Sequence, residues 1–135
     1  MFTIAYATPR DMRDCFLFDR HLTESQYELK VRDKMYYITR DGDTPIGVMR
    51  YNLFWDYIPF LTLIHFGDTY QRKGYGTKAM QHWESEMRAL GHKIIMTSTQ
   101  ADEQGQHFYR KLGYKDTGCL VLDDQPLEIF MIKAL

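Results

Sequence analysis

Gln71-Arg72-Lys73-Gly74-Tyr75-Gly76-Thr77 is the stretch on which the fold turns. It follows a strongly apolar, β-prone run over 58–66 and precedes a long helical pattern. In that pattern Met80, Trp83, Met87 and Leu90 recur at helical spacing, with Lys78, Gln81, Glu84, Ser85 and Arg88 between them. A strand, a glycine-containing turn and a helix in succession make a backbone anion site. Glycines let the main chain approach a phosphate closely, and a helix N-terminus offers unpaired N–H groups and a positive dipole end. Gln71, Arg72 and Lys73 add polar and cationic reach. The stretch is not a P-loop, because no Lys-Ser/Thr pair follows the last glycine. It is not a dinucleotide fingerprint, because the third glycine is missing. An ordinary glycine turn entering a helix is the alternative reading.

Working outward, Phe2–Tyr6 reads as a short strand. Thr8-Pro9-Arg10-Asp11 reads as a helix start that predicts a helix to about His21. Thr23-Glu24-Ser25-Gln26 repeats the signal and predicts a second helix to about Lys34. Residues 35–39 are aromatic and β-branched, Asp41-Gly42 is a turn, and 46–53 is the partner strand. The run 58–66 predicts a well-covered central strand. Beyond Gly91, 92–98 reads as a strand and 102–112 as a helix stopped by Gly113. Residues 114–122 and 127–133 read as two final strands. The order β-α-α-β-β-β-α-β-α-β-β predicts an α/β fold: a mixed sheet with helices on both faces. With 135 residues and no linker, repeat or low-complexity segment, the chain reads as a single domain, 1–135.

Charge excludes some partners. Lys and Arg total 17 against 18 Asp and Glu, so no electrostatic footprint for nucleic acid or anionic membrane is expected. No apolar run approaches the ~20 residues of a spanning helix. The first residues show no secretory leader pattern, and the expectation is a cytoplasmic protein. The two cysteines, Cys15 and Cys119, build no disulfide framework and read as buried thiols. His21, His82, His92 and His107 lack metal spacing with Cys or acids, so no metal is predicted.

A second stretch carries chemistry: Phe108-Tyr109-Arg110-Lys111-Leu112-Gly113-Tyr114. Phe108 and Leu112 share a helix face that can bury. Tyr109 lies off that stripe, where its hydroxyl could reach a ligand; alone, it is better read as an ordinary amphipathic aromatic. Together, the two stretches resemble the GNAT family of N-acetyltransferases. Gln71, Gly74 and Gly76 fill the family's Gln/Arg-x-x-Gly-x-Gly/Ala motif. Phe108, Tyr109, Gly113 and Tyr114 fill its aromatic-Tyr-x-x-x-Gly-aromatic stretch. The element order resembles the family's over nearly the whole chain.

The resemblance implies a mostly antiparallel sheet of about seven strands and an acetyl-CoA cosubstrate. It places the cofactor's pyrophosphate on Gln71, Arg72, Lys73, Gly74, Tyr75, Gly76 and Thr77, and its pantetheine at the strand end around Phe66. A backbone N–H there would hold the thioester oxyanion. Tyr109 matches the usual general acid, protonating the departing thiolate. The acceptor implied is a primary amine of a small molecule or peptide, attacked directly with no covalent enzyme intermediate. A homodimer is compatible with the family. Acetylation of aminoacyl-tRNA would call for a basic face, which the charge balance argues against.

The match departs from the family in two places. Asp102 stands seven residues before Tyr109, where the family often has Asn; helix capping is its expected role. No acid occurs early in the fourth strand, where a Glu general base is usual. His65, Asp56, Asp68, Glu103 and Glu128 are the candidates for that task, and His65 is expected to be a satisfied structural histidine. The missing acid keeps a second reading open: a catalytically silent acetyl-CoA-binding module. The aromatic clusters around Tyr36 and Trp55 default to core. Yet Trp55 and Asp56 fall near a strand junction on the acceptor side, where an aromatic wall with one carboxylate suits an ammonium group.

Overall fold

Phe2–Tyr6 forms strand β1 of the computed structural model, which describes residues 1–135. The Thr8–Asp11 capping signal is present: Thr8 N–H and Oγ1 both donate to the Asp11 carboxylate, at 2.8 and 3.0 Å. It opens a single 3-10 turn, Pro9–Asp11, and a short helix α1, Met12–Cys15. The second box closes as expected, with Gln26 N–H on Thr23 Oγ1 and Thr23 N–H on Gln26 Oε1, and starts α2, Glu24–Arg32. Then come β2 (Tyr36–Asp41), β3 (Thr44–Phe54) and β4 (Ile58–Phe66). A 3-10 turn at Asp68–Tyr70 leads to α3, Tyr75–Ala89. The rest is β5 (Ile94–Gln100), α4 (Gly105–Lys111), β6 (Lys115–Leu120) and β7 (Glu128–Ala134).

The element order is the one read from the sequence, and the class is mixed α/β. The seven strands lie in the order β1-β2-β3-β4-β5-β7-β6. Pairs β1/β2, β2/β3, β5/β7 and β6/β7 are antiparallel. The exception is β4 with β5, which are parallel and register at two positions, Phe60 with Met96 and Leu61 with Thr97.

Several boundaries differ from expectation, three of them for a reason the packing supplies. The helix predicted to reach His21 ends at Cys15, where Phe18 and Asp19 N–H groups both close on the Cys15 carbonyl. The capping box fixed the start, but the end is fixed at a distance. Asp19 is drawn inside to accept from Tyr36 Oη at 2.8 Å and Arg50 Nε at 2.7 Å. Leu90, predicted on the buried stripe of α3, lies one residue past the helix and is 65% exposed; Met80, Trp83 and Met87 are buried. Asp102 does not cap α4. The helix begins at Gly105 behind Gln104, and the preceding turn is held by the Gln106 amide donating to the Ala101 and Glu103 carbonyls.

The chain divides into two compact units, Met1–Asn52 with Thr62–Trp83, and Leu53–Leu61 with Glu84–Leu135. In the first, Ala7, Cys15, Tyr27, Tyr36, Ile38 and Val48 form a core onto which Met12, Phe16, Phe18, Leu22, Val31 and Leu63 pack. Alternation along β2 and β3 turns Tyr37, Met49 and Tyr51 to the other side. There Tyr51 meets Trp83 (5.7 Å between rings) and Tyr37 meets His82 (6.1 Å). In the second unit Leu61, Met87, Ile95, Tyr114 and Met131 are buried, and Phe60 packs edge-on to Phe130. Buried Glu84 accepts from Tyr114 Oη at 2.7 Å and Lys133 Nζ at 2.9 Å, so its charge is compensated.

Of the cysteines, Cys15 is buried as expected, and burial pushes its thiol up to about 12. Cys119 is exposed, a correction that follows from its position on β6, whose residues are all exposed.

Candidate functional site

In the first unit the end of β4 and the loop before α3 are tied together. Gln71 Nε2 donates to the Phe66 carbonyl at 2.9 Å. The Phe66 ring lies 6.2 Å from Tyr75, and Tyr75 stacks on Phe2 at 5.0 Å with planes 9° apart. Phe66 and the first helical residue of α3 thus share one aromatic cluster. Gly47 makes room for it. A Cβ on Gly47 would stand 2.6 Å from both the His65 carbonyl oxygen and Phe66 Cδ1. Nothing local in the sequence marks Gly47, because its neighbours are eighteen and nineteen positions away in the chain.

The loop itself is exposed from Gln71 to Gly74, and Tyr75, Gly76 and Thr77 are half-buried. Arg72 and Gly74 have left-handed backbone, with φ of 60° and 83°. A Cβ on Gly74 would meet nothing within 4 Å, so the main chain there faces open space. The N–H groups of Tyr75, Gly76 and Thr77 belong to the first turn of a 15-residue helix, where no intrahelical carbonyl is available. Open backbone, free first-turn donors and the cations Arg72 and Lys73 fit a pyrophosphate.

In the second unit Tyr109 sits on the buried side of α4, at 7% exposure, while Phe108 and Leu112 are half-buried. That reverses the expected stripe. The cause is Gly105, whose missing side chain leaves room for Thr99: a Cβ there would fall 2.9 Å from Thr99 Oγ1. The helix therefore lies close on β5 with Tyr109 beneath it. The Thr97 hydroxyl, beside Tyr109, donates to the Leu61 carbonyl at 3.1 Å. Burial raises the phenol, against the opposing pull of Thr97, so it stays protonated at neutral pH.

Trp55 and Asp56 form the β3–β4 turn, with φ of 55° and 69°, closed by Tyr57 N–H on the Phe54 carbonyl. This is the turn type that suits a hairpin, built without glycine. Trp55 is 70% exposed and Asp56 is exposed, so neither is core. Tyr36 and Tyr37, by contrast, are fully buried.

The candidate bases scatter. Asp56, Asp68 and Glu103 are exposed, and Glu128 is half-buried at the start of β7. Glu103 accepts from Gln100 N–H at 3.3 Å. His65 is not a buried structural histidine. It is exposed and lines an open cavity of about 310 Å³ with Leu17, Phe18, Arg20, His21 and Leu63. Upstream on the same strand, Thr62 bonds to Asn52 while Leu63 packs on the core shared with α1 and α2. Two successive side chains of β4 turn to that side, so strict alternation breaks between them. No group of three or more His, Cys, Asp or Glu is arranged to hold a metal. No helix is long and apolar enough to cross a membrane.

The family model described as "Acetyltransferase (GNAT) family" matches residues 5–114. No curated protein matches the sequence. Several solved structures share the fold. Ard1 from Thermoplasma volcanium aligns with a TM-score of 0.87 at 16% identity, over 99% of this chain and 97% of that one. Arabidopsis thaliana Naa50, in complex with the bisubstrate analogue CoA-Ac-MVNAL, aligns with a TM-score of 0.84 at 11% identity, over 99% of each chain. The ribosomal-protein-S18-alanine N-acetyltransferase of Escherichia coli aligns with a TM-score of 0.83 at 16% identity, over 99% and 94%.

Proposed function

The chain belongs to the acetyltransferase (GNAT) family, and we propose that it transfers the acetyl group of acetyl-CoA to a primary amine of a small molecule or peptide. The observation that carries this is the loop at the start of α3, with left-handed Gly74 open to solvent beside unpaired first-turn N–H groups. The family match runs across both compact units, which supports reading 1–135 as one acetyltransferase domain. Similarity to the ribosomal-protein-S18-alanine N-acetyltransferase and to Naa50 bound to CoA-Ac-MVNAL supports an amine on a peptide.

Acetyl-CoA supplies an acetyl group already activated as a thioester. Gln71 to Thr77 hold its pyrophosphate through main-chain N–H groups and the Arg72 and Lys73 cations. Gln71 acts a second way, by fixing the Phe66 carbonyl and hence the strand end against which the pantetheine pairs. Main-chain N–H groups of β4 near Phe66 stabilise the negative charge that develops on the thioester oxygen. The acceptor nitrogen attacks as a neutral amine, a C–N bond forms and the C–S bond breaks. Tyr109, kept protonated by burial, gives its proton to the sulfur, and the proton shed by the attacking nitrogen passes to solvent, from which the phenol is restored. Trp55 and Asp56, on the turn before β4, receive a second, non-reacting ammonium group of a longer acceptor.

A silent acetyl-CoA-binding module is the competing reading, favoured by the absence of any acid from β4. A screen of amines and short peptides, following CoA thiol release, separates the two. Release that depends on the amine supports the enzyme. Tight acetyl-CoA binding with no release across the screen supports the module.

A further inference from the structure

A cavity of about 380 Å³ lies within the first unit, between α2 and the strands β3 and β4. Its walls are apolar where Leu22, Leu29 and Met35 line it, and polar where Lys30, Arg50, Asn52 and Thr62 do. Small-molecule sites begin at about 300 Å³. We propose that this cavity binds a carboxylate carried by the acceptor amine, through the Lys30 ammonium and the Arg50 guanidinium. The proposal rests on the acetyltransferase reading and names the substrate class: a short apolar peptide of about four residues with a free C-terminal carboxylate, long enough to reach from the cavity to the end of β4.

Charge and donor accounting point to an anion. Arg50 is 7% exposed and gives Nε and Nη2 to Asp19, at 2.7 and 3.4 Å. Asp19 compensates its charge, and Nη1 is left with no protein acceptor. Lys30 is half-buried and donates to a neutral group, the Tyr51 carbonyl, at 2.6 Å. Asp33 also lines the cavity, but it is exposed and already paired with Arg32 at 3.0 Å. One positive charge, on Lys30, therefore stands without a carboxylate. Burial and Arg50 work against that charge, and Asp33 and Asp19 favour it without restoring it. Across the wall, Thr62 donates to Asn52 Oδ1, which leaves the Asn52 amide N–H groups as donors. Lys30, Arg50 and Asn52 all present donors. A single uncompensated charge matches a carboxylate monoanion better than a phosphate dianion. Thr62 lies on β4 four residues before Phe66, about 13 Å along the strand. An acceptor anchored there can extend its amine toward the strand end assigned to the thioester.

The test compares a four-residue apolar peptide with its C-terminal carboxamide, which keeps the amine and loses the charge. The wild type is expected to favour the acid in kcat/KM relative to Lys30→Met by about 10- to 100-fold, the range of a charge-assisted hydrogen bond. The carboxamide should change less than about threefold. Lys30→Arg should restore most of the preference, and acetyl-CoA affinity should be unaltered in both variants. Binding of the N-acetylated peptide, measured by calorimetry, reads the cavity without turnover. Tighter binding to wild type than to Lys30→Met supports the cavity even if no amine is acetylated, in which case only the acetyltransferase reading fails. Equal binding to both, or a wild type indifferent to the carboxylate, overturns the proposal.

Discussion

Gln71 Nε2 donates to the Phe66 carbonyl at 2.9 Å, so the loop that opens α3 is fastened to the end of the strand before it. A motif side chain thus does structural work besides any direct contact with a ligand. Gln71→Ala frees both groups and loosens the loop. A net loss of about 1 kcal/mol corresponds to a roughly fivefold rise in the acetyl-CoA Kd. Calorimetric titration checks this, and an unchanged Kd would show that the loop holds its shape without the bond.

Gly47 seats the Phe66 ring. A Cβ 2.6 Å from that ring and from the His65 carbonyl forces the two strands to shift, since one of the neighbours is backbone. Overpacking of this kind costs about 1–3 kcal/mol. Gly47→Ala should lower the melting temperature by several degrees and weaken acetyl-CoA binding with it. Loss of stability with wild-type cofactor affinity would separate Phe66 from the cofactor.

Asp19 sets the acid limit of stability. Burial alone would raise its carboxyl, but hydrogen bonds from Arg50 and Tyr36 hold it below the usual range. Asp11 is likewise lowered, by Thr8 and Arg40 against burial. Depressed folded values mean the contribution is full above the unfolded carboxyl value of about 3.9 and is lost as pH falls through the folded ones. Asp19→Asn strands a buried Arg50 and should cost about 3–5 kcal/mol near neutral pH. Its stability should also fall less steeply between pH 4 and pH 2 than that of the wild type, as read by urea unfolding at each pH.

Asp56 occupies left-handed backbone, which Asn tolerates equally well. Asp56→Asn therefore keeps the turn and removes the charge. If the turn receives an ammonium group, the acceptor KM rises several-fold and the acetyl-CoA Kd stays put. Steady-state kinetics with a positively charged acceptor decides between that and a turn residue only.

How far the sequence carried depended on whether the cause was local. β4 was read to the residue because an apolar, β-prone run carries its own signal. The two capping boxes located both helix starts. The end of α1 was illegible: nothing near Cys15 is a breaker, and the chain turns there so that Asp19 can meet Tyr36 and Arg50. The glycine loop was legible as an anion site because helix-start chemistry is local. Gly47 and Gly105 were not, since each is defined by a neighbour on another element. Gly105 also explains why Tyr109 is buried when helical periodicity put it off the packed stripe.

Tyr109→Phe bears most directly on acetyl transfer. The substitution keeps the ring beneath α4 and removes the hydroxyl that would protonate the leaving sulfur. General acids contribute about 100- to 10,000-fold, and a thiolate leaves readily, so the lower part of that range applies. The measurement is kcat by CoA thiol release, with acetyl-CoA Kd by titration on the same samples. The expected result is a kcat about 100-fold lower with Kd within twofold of wild type. A Tyr109→Phe enzyme as fast as wild type would contradict the assignment of the proton to Tyr109.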